Sequence, residues 1–174
     1  MKKRVLILHG WNATPSEAWF PNACEFFASK NLEVTCPALP GNYFPDFSGW
    51  LKAIDDFSPD ANSILIGHSL GGVTILQYLS KNDIKVGQII LVATPIEAMD
   101  FGQIEPFFAD DFNWEKIKKN AQKINLIYEE DDPLVPIEQG KIVAQKLNAT
   151  LKIVPGGVHL TKLDMKVLEE MIDG

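Results

Sequence analysis

Ser69 stands in Gly67-His68-Ser69-Leu70-Gly71, a serine flanked by glycines where an apolar run passes into helical sequence. G-x-S-x-G in that position has the form of a nucleophile elbow: a buried strand ends, the chain turns sharply into a helix, and the serine is held strained at the apex with its hydroxyl exposed. Gly67 and Gly71 serve where the two backbones come too close for a Cβ, and Gly72 extends that freedom by one residue. The context agrees: residues 63–66 read as a short buried strand and residues 73–79 as helix.

A serine hydroxyl is a poor nucleophile until a base takes its proton and a third group orients that base. The sequence holds three histidines. His68 is beside the serine on the turn and is expected to point away from it; His9 precedes Gly10 at the end of the first strand. His159 follows the last strand in Pro155-Gly156-Gly157-Val158-His159, a loop free enough to bring an imidazole to the sheet edge, and is the expected base. The acid is expected after the strand at residues 124–128, where Glu129-Glu130-Asp131-Asp132-Pro133 supplies four carboxyls. Asp132 is preferred because Pro133 holds it extended; Asp131 is the next choice, and Glu129, Glu130 and Asp131 read otherwise as a solvated acidic turn. Donors for an oxyanion are expected from the amide of Leu70 and from that of Trp11, where Gly10 permits a close backbone approach, although Trp11 reads equally well as a core aromatic.

These groups need a scaffold that gathers distant loops at one edge. Apolar runs at residues 4–9, 32–36, 63–66, 86–93, 124–128 and 150–154 read as strands. Between them, helical patterns run over residues 15–30, 46–57, 73–79, 114–121 and 138–147, with a last one at 161–172. About six strands alternating with helices and lacking hairpin signals imply an α/β fold with a parallel sheet covered on both faces, whose ligands bind beyond the carboxyl ends of the strands. Residues 96–113, rich in Phe, Pro and acidic residues, read as a binding loop or small lid, with Phe107, Phe108 and Trp114 as candidate acyl-pocket walls.

With 174 residues, 46% hydrophobic and 22% charged, the chain is expected to form one domain around one sizeable core. A net charge of -7 argues against nucleic-acid and anionic-membrane partners. Lys2-Lys3-Arg4 precedes only a four-residue apolar run, well short of a signal sequence, and no segment is long enough to span a membrane. Cys24 and Cys36 make no disulfide framework or CxxC pair, which suits a reducing, cytoplasmic setting. The scattered histidines predict no metal, and no cofactor is expected.

The chain resembles the α/β-hydrolase superfamily, and within it the small serine hydrolases similar to retinoblastoma-binding protein nine and their bacterial relatives. The resemblance spans nearly the whole chain. It rests on His9-Gly10-Trp11, Ile66-Gly67-His68-Ser69, Asn113-Trp114-Glu115-Lys116-Ile117-Lys118, Asp131-Asp132-Pro133 and Gly157-Val158-His159. It implies a minimal three-layer fold with strand order 2-1-3-4-5-6 and no large cap. In that family the second acid of the Asp-Asp-Pro triplet resembles the triad member, which favours Asp132 over Asp131, and Ser69, Asp132, His159 then follow the order of α/β-hydrolases. Glu129 and Glu130 depart from the glycine many superfamily members carry after the acid-bearing strand, and retinoblastoma binding does not follow, since the sequence has no L-x-C-x-E. The implied activity is hydrolysis of small carboxylic esters, or of amides or thioesters, through an acyl-enzyme. The competing reading is a catalytically weak binding module with the Phe-rich stretch from Phe101 to Phe112 as its surface, and the sequence identifies no protein partner.

Overall fold

The computed structural model describes residues 3–98 and 100–173. Among them six strands alternate with helices: β1 (Arg4–Leu8), α1 (Phe20–Ser29), β2 (Glu33–Thr35), α2 (Phe47–Phe57), β3 (Ser63–His68), α3 (Leu70–Lys81), β4 (Val86–Val92), α4 (Trp114–Asn120), β5 (Ala121–Glu129), α5 (Ile137–Leu147), β6 (Thr150–Val154) and α6 (Met165–Asp173). Every neighbouring pair is parallel and the order is β2-β1-β3-β4-β5-β6, as expected.

Strand periodicity divides the core into two layers. Along β1, Leu6 and Leu8 face a cluster with Trp50 and Ile54 of α2, Leu76 of α3, Ile117 of α4 and Val143 of α5. Val5 and Ile7 face the other side, where Phe20, Ala23 and Phe27 of α1 meet Leu168 and Met171 of α6. β1 lies between β2 and β3, so the chain reverses its direction of winding there. The loops after β1 and β3 therefore diverge at the carboxyl edge, where open α/β sheets form their binding crevices. Those loops contain Gly10, Trp11 and Ser69.

Two helices begin later than the sequence predicts. α1 begins at Phe20 rather than near Pro15, because residues 14–18 are used in a turn: Thr14 donates its amide to Glu17 Oε2 at 2.8 Å, Glu17 donates to the Thr14 carbonyl at 3.2 Å, and Ala18 has φ 51°. Pro21 then falls within the first helical turn, where its missing N–H is harmless. α6 begins at Met165 rather than residue 161, since His159 and Leu160, with φ 56° and 47°, turn the chain first.

The stretch 96–113 is not an open loop throughout. It contains a 3₁₀ helix, Gly102–Phe108, fastened by Gln77, whose Nε2 donates to the Phe107 carbonyl at 3.0 Å and to that of Asp110 at 2.8 Å. Phe107 is fully buried, its ring 5.1 Å from that of Trp50 and 4.8 Å from that of Phe47. It belongs to the core and not to an acyl pocket, while Phe108 and Trp114 pack part-buried on the same cluster. Met99, inside that stretch, lies outside the described residues.

Candidate active site

Ser69 occupies the joint between β3 and α3 with φ 51° and ψ -120°, a backbone region outside those normally open to an L-residue. Its amide donates to the Val92 carbonyl of β4 at 2.8 Å, and its own carbonyl accepts from Gly72 at 2.9 Å, so the turn is pinned on both sides. A Cβ on Gly67 would lie 2.5 Å from the Gly72 backbone, and one on Gly71 would press on the carbonyls of Leu8 and His9. Both glycines are thus required by backbone approach, as the elbow motif predicts. Leu70 opens α3, so its N–H has no acceptor within the helix.

Gly10 draws the loop after β1 against this turn, where a Cβ on it would lie 3.1 Å from Ser69 Cβ. His9 anchors that loop: its buried ring donates from Nδ1 to the Gly10 carbonyl at 2.8 Å and accepts the Leu39 amide at Nε2, at 3.0 Å. Burial holds its pKa below the usual histidine value, in keeping with a neutral ring. Trp11 follows part-exposed, with Nε1 donating to the Tyr43 carbonyl at 2.9 Å.

Asp132 and His159 come together from the loops after β5 and β6. His159 Nδ1 donates to Asp132 Oδ2 at 2.9 Å, and its second approach, to Oδ1, is 3.1 Å. The Asp132 side chain is fully enclosed, and Oδ1 also accepts the amides of Leu134 and Val135 at 2.8 and 2.9 Å. Burial, the largest single influence, pushes the carboxyl upward. The bonds from His159, Val135 and Leu134 together outweigh it, and the group stays below the ordinary aspartate range and ionised. Asp131 and Glu130 are exposed.

Glu129 is not part of a solvated turn. It is 2% exposed, and its Oε2 accepts the Val158 amide at 3.0 Å, beside a glycine, Gly156, on which a Cβ would collide with the carboxylate. The end of β5 therefore holds the loop that carries His159. The strand expected at residues 124–128 runs on to Glu129, and that last residue lies at the buried end of β5. Glu129→Ala, which leaves the Val158 N–H without its acceptor, is expected to cost about 1 to 3 kcal/mol in urea unfolding, whereas Glu129→Gln should retain most of that stability.

His68 has a structural role that adjacency to Ser69 did not reveal. Its Nε2 donates to the His159 carbonyl at 2.8 Å, with the two rings 5.0 Å apart, and its buried Nδ1 has no partner. Burial, reinforced by the neighbouring His159, pushes its pKa down to about 4. Below the ordinary value of 6.5 the unfolded chain takes up a proton that the folded one refuses, so stability is full above about pH 6.5 and is lost as the pH falls to about 4. Urea titrations across that window should show a loss on the order of 3 kcal/mol, flattened in His68→Gln.

A cavity of about 300 Å³ opens at this edge, lined among others by Gly10, Trp11, Ala18, His68, Ser69 and His159. The larger groove of about 570 Å³ between residues 83–85 and 115–120 contains no nucleophile or base of this kind. Among the described residues no group of His, Cys, Asp or Glu side chains is gathered to hold a metal ion, and no helix is long and apolar enough to cross a membrane. A hydroxyl on a strained turn, an imidazole lining the same cavity and an enclosed carboxylate bonded to that imidazole form a set suited to acyl transfer.

Known proteins resemble this chain in architecture and in sequence. YdeN of Bacillus subtilis is 29% identical over 164 residues, covering 91% of this chain and 86% of that one. Its crystal structure superposes with a TM-score of 0.91 at 26% identity, over 99% of this chain and 100% of the other. The serine hydrolase RBBP9 of Rattus norvegicus is 27% identical over 103 residues, 59% of this chain and 55% of that one. Est1E from Butyrivibrio proteoclasticus has a TM-score of 0.73 at 16% identity, over 97% of this chain and 85% of that one, a likeness of fold alone. The family model described as serine hydrolase matches residues 5–164, from the first strand to beyond His159. The chain, an α/β-hydrolase fold with its serine at a glycine-flanked turn, belongs to the serine hydrolase family.

Proposed function

We propose that this protein is a cytoplasmic, single-domain esterase that cleaves carboxylic esters of small molecules through a covalent acyl-enzyme, with no cofactor. The observation that carries the reading is the Asp132 to His159 bond of 2.9 Å, made by a histidine that lines the same cavity as Ser69.

Ser69 Oγ attacks the ester carbonyl carbon as its proton passes to His159 Nε2, the ring nitrogen not engaged by Asp132. The developing oxyanion is held by the amides of Leu70 and Trp11. Collapse of the tetrahedral intermediate breaks the bond to the alkoxy oxygen, and His159 returns the proton to the departing alcohol. Water repeats the sequence on the Ser69 ester, giving the carboxylic acid and free enzyme. Asp132 stays ionised throughout, fixing the tautomer with the proton on Nδ1 and stabilising the imidazolium.

The test is covalent labelling by a fluorophosphonate, with the modified residue located by mass spectrometry. Stoichiometric labelling of Ser69, accompanied by turnover of short esters, is expected. Absence of labelling together with saturable binding of a small molecule would instead support a binding module.

A further inference from the structure

We propose that the acyl part of the substrate is apolar, an aryl group or an alkyl chain of medium length, and that it lies on an aromatic ridge formed by Trp11, Tyr43 and Phe101. The inference rests on the esterase reading above and adds its substrate class.

The ridge lies at the surface. Tyr43 is 51% and Phe101 38% exposed, although large aromatic side chains are normally sequestered. The Trp11 ring lies 5.2 Å from that of Phe101 and 5.8 Å from that of Tyr43. Two hydrogen bonds fasten Tyr43: its carbonyl accepts from Trp11 Nε1 at 2.9 Å, and its hydroxyl accepts from Gln103 Nε2 at 3.2 Å. The loop that carries it is a tight turn, with Gly41 at φ 92° and the Phe44 amide donating to the Gly41 carbonyl at 2.6 Å. A preorganised apolar surface binds an apolar group without the entropic cost of ordering loose side chains.

Continuity with the catalytic cavity identifies the occupant. Trp11 lines that cavity beside Ser69 and also begins the ridge. The direction follows from the chemistry. His159 must hand its proton to the leaving oxygen, so the alcohol lies on the side of the cavity that carries His159. The acyl group, on the opposite side of the carbonyl carbon, is then directed over Trp11 toward Phe101 and Tyr43.

Two isomeric esters separate the two directions: methyl octanoate places its chain on the acyl side, and heptyl acetate places it on the alcohol side. Burying one face of the chain on the ridge should raise kcat/KM for methyl octanoate by about tenfold or more over both heptyl acetate and methyl acetate. In Phe101→Ala and in Tyr43→Ala the octanoate to acetate ratio should fall by about the same factor, with folding checked by thermal unfolding. Preference for heptyl acetate, a ratio unchanged by both substitutions, or a self-association that the same substitutions abolish would overturn the assignment. Failure of the esterase reading looks different: no ester is turned over, or turnover persists in Ser69→Ala.

Discussion

Ser69→Ala is expected to abolish ester turnover, by at least about 10⁵-fold in kcat, while the protein remains folded. Removal of a serine nucleophile takes away the whole covalent route and leaves only the contribution of the oxyanion donors and of binding. The residue also carries a cost in the fold, because φ 51° and ψ -120° are imposed on it by the closeness of Gly67 to Gly72. Alanine inherits that strain, whereas glycine does not. Ser69→Gly should therefore be inactive and more stable than the parent by about 1 kcal/mol in urea unfolding. A Ser69→Ala preparation that keeps more than a hundredth of parental activity would reject Ser69 as nucleophile, and a destabilised Ser69→Gly would reject the strain.

The second large effect belongs to Asp132. Asp132→Asn keeps the volume but replaces the carboxylate that receives the proton of His159 Nδ1 at 2.9 Å. The asparagine can present its NH₂ to that nitrogen, which favours the tautomer with the proton on Nε2, where it cannot accept one from Ser69. A loss of about 10⁴-fold in kcat is expected, with the protein still folded in a thermal melt. Asp131→Asn, at an exposed position, should be nearly silent. An active Asp132→Asn would move the role elsewhere. The carboxyl also contributes to acid stability: because its pKa is depressed on folding, its contribution is present above the ordinary aspartate value and is lost as the pH falls through the lowered one. Asp132→Asn should remove that part of the acid transition, which lies below the His68 window.

Part of this site is legible in the sequence, since short-range constraints write themselves into it. Gly67 and Gly71 are where the backbone admits no side chain, and the strand before them and the helix after them are periodic. The sequence sets Asp132 apart from Asp131 by the proline that follows it, and in the structure the Asp132 side chain is enclosed while Asp131 is exposed. What escaped were roles fixed by partners far along the chain. Glu129 sits among acidic neighbours and is told apart by Val158, 29 residues away, whose amide it receives. His68 is told apart by the carbonyl of a residue 91 positions distant. Phe107 and Phe101 lie in one Phe-rich stretch, yet a 3₁₀ helix turns the first into the core and leaves the second at the surface.

The sequence by itself determined the alternation of strands and helices, the elbow at Ser69 and the kinds of residue available to serve it, because hydrophobic period and glycine placement are local properties of a chain. Only the tertiary structure decided which side chains meet. The winding reversal between β1 and β3 brings Gly10 against Ser69, and the parallel register carries the ends of β5 and β6 to the same edge. Burial then assigns each polar group its state: an ionised Asp132 held by three donors, a neutral His68 bound to the His159 backbone, and an enclosed Glu129 bracing the loop between them. Burial of a polar group depends on contacts between segments distant in sequence, so its immediate neighbours in the chain do not encode it.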